Sequence, residues 1–98
     1  MDKKDRLYLR SLGQKLSDLV YIGKEGLTDN VVKQIDDNLF SHELIKIKVQ
    51  QSVLDELDNF ASEIENKCDC EVVCVIGSKI LVYKYSRNPK LKQHILNK

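Results

Sequence analysis

Gly23 and Gly26 stand three apart around Lys24 and Glu25, and Thr28 follows two positions on. Residues of these types at this spacing suit one piece of chemistry, the holding of a phosphate. Glycine has no Cβ and reaches positive φ at little cost, so another backbone can come close. A helix starting behind such a loop turns unpaired N–H groups and the positive end of its dipole toward an anion. Lys24 adds a point charge. Gly-x-x-Gly by itself is a common pair, and an ordinary strand-to-helix turn accounts for it too. Its placement is more telling: the strand-like run Leu19 to Ile22 precedes it and a helix start follows at Thr28, the context that a phosphate-cradling loop requires.

Other chemistries find little support. His42 and His94 have no evident catalytic partner in the sequence, and no Ser/His/Asp set stands out. Gly23-Lys24 lacks the longer glycine-rich stretch ending in Lys-Ser/Thr that a P-loop needs. The acid pairs Asp36-Asp37 and Asp55-Glu56 are adjacent on helices, where neighbours splay apart. Cys68, Cys70 and Cys74 are odd in number and lie within seven residues, which makes no disulfide framework. Zinc usually takes four Cys or His ligands, and Cys74 falls inside an apolar strand. No enzyme, metal or cofactor is expected.

The frame around the loop is small. Ninety-eight residues make one domain with one core. No apolar run approaches the roughly 20 residues of a membrane span. The charged start, Met1-Asp2-Lys3-Lys4-Asp5, leads into no apolar signal segment. A soluble cytoplasmic protein is expected. The formal net charge of +1 hides an uneven distribution. Residues 50–71 hold seven acids (Asp55, Glu56, Asp58, Glu63, Glu65, Asp69, Glu71) against Lys67 alone. Residues 72–98 hold six bases (Lys79, Lys84, Arg87, Lys90, Lys92, Lys98) and no acid. A polyanion meets the local field rather than the total, although a solvated acidic helix with a basic tail would look the same.

Periodicity supplies the elements. Residues 3–13 read as a helix with Tyr8, Leu9, Leu12 and the following Leu16 on one arc. Lys3, Arg6 and Arg10 line another arc, either as phosphate contacts or as solvated surface, and Gly13 suits a C-cap. A strand at 18–22 enters the glycine loop. Thr28 or Asp29 can cap a helix over 29–41, with Val31, Val32, Ile35 and Leu39 inward. In the strand 44–49, Ile45, Ile47 and Val49 face one way and Lys46 and Lys48 the other, so that second face is at least partly wet. Ser52 can cap a helix over 53–67 whose Val53, Leu57, Phe60, Ala61 and Ile64 pack inward. Its acidic outer face should point away from nucleic acid. Strands over 71–76 and 79–85 close on Gly77-Ser78, a two-residue hairpin of the type II′ pattern. Asn88-Pro89 then stops regular structure, leaving residues 89–98 as a basic, mobile tail beyond a domain spanning 1–88. The order α-β-α-β-α-β-β with one hairpin predicts an α+β fold on a mixed four-stranded sheet. Of the aromatics, Phe40 and Phe60 belong to helix stripes. Tyr21, Tyr83 and Tyr85 are the candidate stacking platforms, with Tyr83 expected in the core.

In this order the chain resembles the small bacterial proteins of the YhbY type, which consist of one CRM domain. Three phrases carry the likeness. They are Ile22-Gly23-Lys24-Glu25-Gly26-Leu27-Thr28 with Val32, Ile35 and Leu39 behind it; His42-Glu43-Leu44-Ile45-Lys46-Ile47-Lys48-Val49; and Val75-Ile76-Gly77 followed by Leu81, Val82, Tyr83 and Lys84. The resemblance spans about residues 3 to 87. It implies a fold like the C-terminal domain of translation initiation factor three, and RNA binding with the Gly-x-x-Gly loop compared to that of KH domains. It also implies an association with precursors of the large ribosomal subunit. Two positions depart from the family: Ser17-Asp18 stands where a basic residue and a proline are usual, and Lys84 where arginine is.

The expected function is therefore RNA binding, with ribosomal RNA of the large-subunit precursor as partner and the chain a monomer. The expected contacts are Lys3, Arg6, Arg10, Gly23, Lys24, Gly26, Thr28, Lys84 and Arg87. With few aromatic platforms, recognition should rest on phosphate and shape more than on base identity. The competing reading is a protein–protein adaptor that docks on a ribosomal protein and touches RNA incidentally.

Overall fold

The computed structural model describes residues 1–96. The chain runs α1 (Lys3–Gly13), β1 (Asp18–Ile22), α2 (Asp29–His42), β2 (Leu44–Val49), a 3-10 turn (Gln51–Glu56), α3 (Leu57–Cys68), β3 (Glu71–Ile76) and β4 (Lys79–Tyr83). The strands form one mixed sheet in the order β1-β2-β4-β3. β1 and β2 are parallel, and β4 is antiparallel to both β2 and β3. The crossover through α3 thus carries β3 two positions past β2, and the hairpin returns β4 into the gap. Gly77 opens that hairpin turn at φ +58. The α+β class and element order expected from the sequence are those observed.

Alternation decides which side of the sheet each residue serves. Val20, Ile22, Ile45, Ile47, Val49, Ile80 and Val82 form one face, buried with Ile35 and Leu39 of α2 and Phe60 and Ile64 of α3. Leu44, Val73, Leu81 and Tyr83 face the other way, where Leu9 of α1 and Leu96 cover them. That second layer reaches only part of the sheet. Leu19 and Tyr21 of β1 stay exposed on it, as does Lys48.

Several local expectations give way to packing. Gly13 is not a C-cap with positive φ: Gln14, in right-handed helical geometry, caps α1. Gly13 instead lets α1 settle on β4, since a Cβ there would stand 2.6 and 2.8 Å from the Leu81 methyls. A Gly-to-Ala change inside a helix ordinarily gains about 1 kcal/mol. Here overpacking should reverse the sign, and Gly13→Ala is expected to lose about 1–2 kcal/mol in thermal unfolding. A stabilised variant would show that Leu81 swings aside freely. Ser52 does not cap α3, because a 3-10 turn intervenes and Val53, at φ −123 and ψ 20, breaks helical geometry to reach the core. The Ser52 hydroxyl accepts from Gln50 Nε2 at 2.8 Å. β4 ends at Tyr83, two residues earlier than expected. Phe40 is half exposed rather than part of the inner stripe of α2.

Residues 95 and 96 of the segment expected to be a mobile tail pack against the domain, and the stretch leading to them is held as well. Ser86 Oγ donates to the Phe40 carbonyl at 2.6 Å, and Leu96 is buried. Glu43 organises this docking. It follows α2 with φ +66 and ψ −38, and its N–H donates to the Leu39 carbonyl at 2.9 Å. Its own carbonyl accepts from Lys84 N–H at 2.9 Å. Its buried carboxylate accepts the amides of Ser86 (2.8 Å) and Ile95 (3.0 Å) and lies 2.6 Å from His94 Nδ1. Lys98 lies outside the described residues.

Candidate nucleic-acid interface

β1 delivers the loop. The Ile22 carbonyl accepts from Gln50 N–H at 2.8 Å, and the Gly23 carbonyl then accepts from Gly26 N–H at 3.0 Å. This closes a four-residue turn with Lys24 and Glu25 exposed at its tip. The two glycines do different jobs. Gly26 has φ +75, and a Cβ there would lie 3.4 Å from the Phe60 ring, so its α-carbon faces the core. A Cβ on Gly23 would meet only Gln50 Oε1 at 3.4 Å and the Tyr21 ring at 3.7 Å, on the outer side. Thr28 starts α2 as the sequence suggested: its Oγ1 accepts from Val31 N–H at 3.2 Å and its carbonyl from Val32 N–H at 3.0 Å. The Asp29 and Asn30 amides, in the first turn, have no preceding helical carbonyl to bond. Lys24 is opposed by Glu25 and Asp29, both exposed. The charged side chains around the loop thus sum to a negative charge, and the groups it offers to an anion are backbone N–H donors.

The fold sorts the other expected contacts by position along the sheet. Lys48 pairs with Lys79 at the end where the loop lies, and Leu44 pairs with Tyr83 at the opposite end. Lys84 and Arg87 follow Tyr83 and so lie away from the loop. They share a depression there with Asp36, Asp37 and Asp69, and Lys84 Nζ donates to the Cys68 carbonyl at 3.0 Å, closing the end of α3. Arg6 also has structural work. Its Nη1 donates to the carbonyls of Val72 (3.1 Å) and Val73 (2.8 Å), and its Nη2 is 3.7 Å from Glu71. Lys3 is exposed in the first turn of the same helix. Arg10 alone of that stripe reaches the loop half of the sheet, lining an open cleft with Lys46 and Lys79. The structure thus gathers Gly23, Lys24, Gly26 and Thr28, brings Arg10 to the neighbouring face, and leaves Lys3, Arg6, Lys84 and Arg87 elsewhere.

Three cations escaped the sequence-based set. Lys46, Lys48 and Lys79 occupy neighbouring positions on β2 and β4. The alternation of residues 44–49 placed the first two on one face, but nothing local placed Lys79 beside them. Among the tyrosines, Tyr21 is 53% exposed and adjoins Gly23. Tyr83 is buried, and burial raises its hydroxyl pKa to about 12. Tyr85 stacks on His94 with ring centroids 4.1 Å apart. Burial likewise raises the thiol pKa of Cys68 to about 11 and of Cys70 to about 12, and raises that of Cys74. Such thiols stay protonated near neutrality and are poor nucleophiles and ligands. No group of three or more His, Cys, Asp or Glu among the described residues could hold a metal ion. No described helix is long and apolar enough to cross a membrane.

The sequence pattern of the CRS1 / YhbY (CRM) domain matches residues 1–84. The chain belongs to this CRM domain family. It is 33% identical over 87 residues to the probable RNA-binding protein YqeI of Bacillus subtilis, spanning 89% of this chain and 91% of that one. An RNA-binding protein of Haemophilus influenzae is 28% identical over 92 residues, spanning 94% and 93% of the two chains. The solution structure of the hypothetical protein SAV1595 from Staphylococcus aureus superposes with a TM-score of 0.78 at 39% identity, covering 92% of this chain and 94% of that one. The CRM domain here therefore shares its fold with the SAV1595 structure, and its sequence with relatives named for RNA binding.

Proposed function

We propose that this CRM domain protein binds RNA, and that its target is ribosomal RNA in the precursor of the large subunit, where it acts as a cytoplasmic, monomeric assembly factor. One observation carries the reading: the Gly23–Gly26 turn sits between β1 and the Thr28-capped start of α2, in a chain of a family whose relatives are RNA-binding proteins. Backbone amides at such a junction bind phosphate without reading the base. The ribosomal target comes from the family resemblance.

Sedimentation tests the reading. In a low-salt sucrose gradient the protein should travel with the large subunit or its precursor and be depleted from polysomes. A few hundred millimolar salt should release it, because six phosphate contacts lose on the order of a thousandfold in affinity over such a change. Deletion should let incomplete large-subunit particles accumulate, most visibly in the cold. Recovery only at the top of the gradient, with a normal subunit profile in the deletion strain, would end the ribosomal assignment. Neutralising Asp55, Glu56 and Asp58 should leave the association intact. If that change alone abolished it while oligonucleotide binding persisted, the protein would be an adaptor.

A further inference from the structure

The loop carries one cation against two nearby carboxylates, yet a concentrated positive field lies beside it, on the part of the sheet that α1 leaves uncovered. Register places Tyr21, Lys48, Lys79 and Ile76 in one row across β1, β2, β4 and β3. At the spacing of about 4.8 Å between strands the row spans about 14 Å. Lys46 lies one step along β2 from Lys48 on the same face, and Arg10 approaches from α1 to line a cleft of about 400 Å³ with Lys46 and Lys79. The floor of that cleft includes Cys74, Ile76 and Leu81. Tyr21 and Ile76 are each at least half exposed. The Tyr21 ring also adjoins Gly23, so the face and the loop form one continuous surface.

We propose that this face holds a single-stranded RNA segment that continues from the loop, with Tyr21 stacking on a base and Arg10, Lys46, Lys48 and Lys79 meeting phosphates. The inference rests on the RNA-binding reading and extends it to a second surface. Charge complementarity selects a polyanion, and the exposed aromatic and apolar row selects unstacked bases over a duplex, whose bases are hidden. Other four-stranded RNA-binding sheets stack two or three bases across a face of this breadth.

Asp18 tempers this surface. Its carboxylate is 3.0 Å from Lys79 Nζ, reaching across β2 from the first residue of β1. It neutralises one cation of the group and places a negative charge where a phosphate would lie.

Fluorescence anisotropy with an unstructured 12-nucleotide RNA, at several salt concentrations from 50 to 200 mM, tests the proposal. The triple variant Lys46→Ala, Lys48→Ala, Lys79→Ala should bind at least tenfold more weakly, and its log–log salt slope should fall by about 2, or roughly 0.7 for each lost contact. Tyr21→Ala should weaken binding at least fivefold. Asp18→Asn should tighten it severalfold at low salt, a gain that misfolding cannot imitate. A duplex of equal length should compete poorly. Unchanged affinity and slope in the lysine variant and in Asp18→Asn, with Gly23→Asp still weakening binding, would overturn the proposal and confine RNA to the loop. Absence of wild-type binding to any RNA at 50 mM salt would sink the RNA-binding reading itself.

Discussion

Glu43→Ala should lower the stability of the domain by about 3 kcal/mol, the upper part of the range for stranding buried hydrogen-bonding partners, and the Tm by on the order of 15 °C for a chain of this length. The carboxylate accepts the Ser86 and Ile95 amides and lies 2.6 Å from His94 Nδ1. Removing it leaves two amides facing an apolar gap, and the segment carrying Leu96 loses its anchor. The backbone adds a second term. Glu43 holds φ +66 and ψ −38, a conformation that strains any residue with a Cβ. Glu43→Gly should therefore be less damaging than Glu43→Ala, because it relieves that strain while losing the same carboxylate. If both variants unfolded with the wild type, the docked C-terminal segment would contribute nothing to stability.

The same carboxylate should impose a pH dependence. Burial pushes the Glu43 pKa upward, but the Ser86 amide, the His94 ring and the Ile95 amide together outweigh it and hold the group below its ordinary 4.5. A depressed folded-state pKa means that the stabilising contribution is complete above the unfolded value and disappears as pH falls through the folded one. The stability difference between wild type and Glu43→Gln should thus shrink as pH falls below the ordinary carboxyl value of 4.5. Urea titrations from pH 7 to pH 3 would measure it, and a difference that stayed flat to pH 3 would contradict an ionised Glu43.

Glu43 also marks where local sequence stops informing. The strands, α2 and the loop were legible because each rests on neighbours within a few residues. Alternation separates Ile45, Ile47 and Val49 from Lys46 and Lys48, and Thr28 caps the helix directly after it. Glu43 looked like one more polar residue in a family phrase. Its partners lie 43, 51 and 52 positions away, and no period in the sequence records them. Gly13 misled for a related reason: a glycine at a helix end suggests a cap, whereas here the constraint is Leu81 on a distant strand. The candidate site divides the same way. Its loop was readable from spacing, but the cationic face exists only because β4 inserts between β2 and β3 and sets Lys79 beside Lys48. Asp18 departs from the family pattern in the sequence, but its reach to Lys79 follows only from the sheet order.

The two glycines of the loop should separate cleanly under mutation, although their spacing makes them look equivalent. Gly26→Val is expected to cost about 2–3 kcal/mol, since a β-branched residue at φ +75 is a genuine outlier and its side chain would press on the Phe60 ring 3.4 Å from the new Cβ. Loss of RNA binding in that variant would report folding rather than contact. Gly23 has no positive φ, and its added Cβ would make only ordinary contacts with Gln50 and Tyr21. Gly23→Ala should therefore keep its stability within about 0.5 kcal/mol. Gly23→Asp should stay folded too, yet it would put a carboxylate on the outer side of the turn, next to Tyr21, where the phosphate is proposed to sit. Its RNA affinity should drop at least tenfold, equivalent to about 1.4 kcal/mol, with circular dichroism and Tm unchanged. Equal binding by folded Gly23→Asp and wild type would remove the loop from the mechanism, and a Gly26→Val protein as stable as wild type would show that the turn relaxes without its glycine.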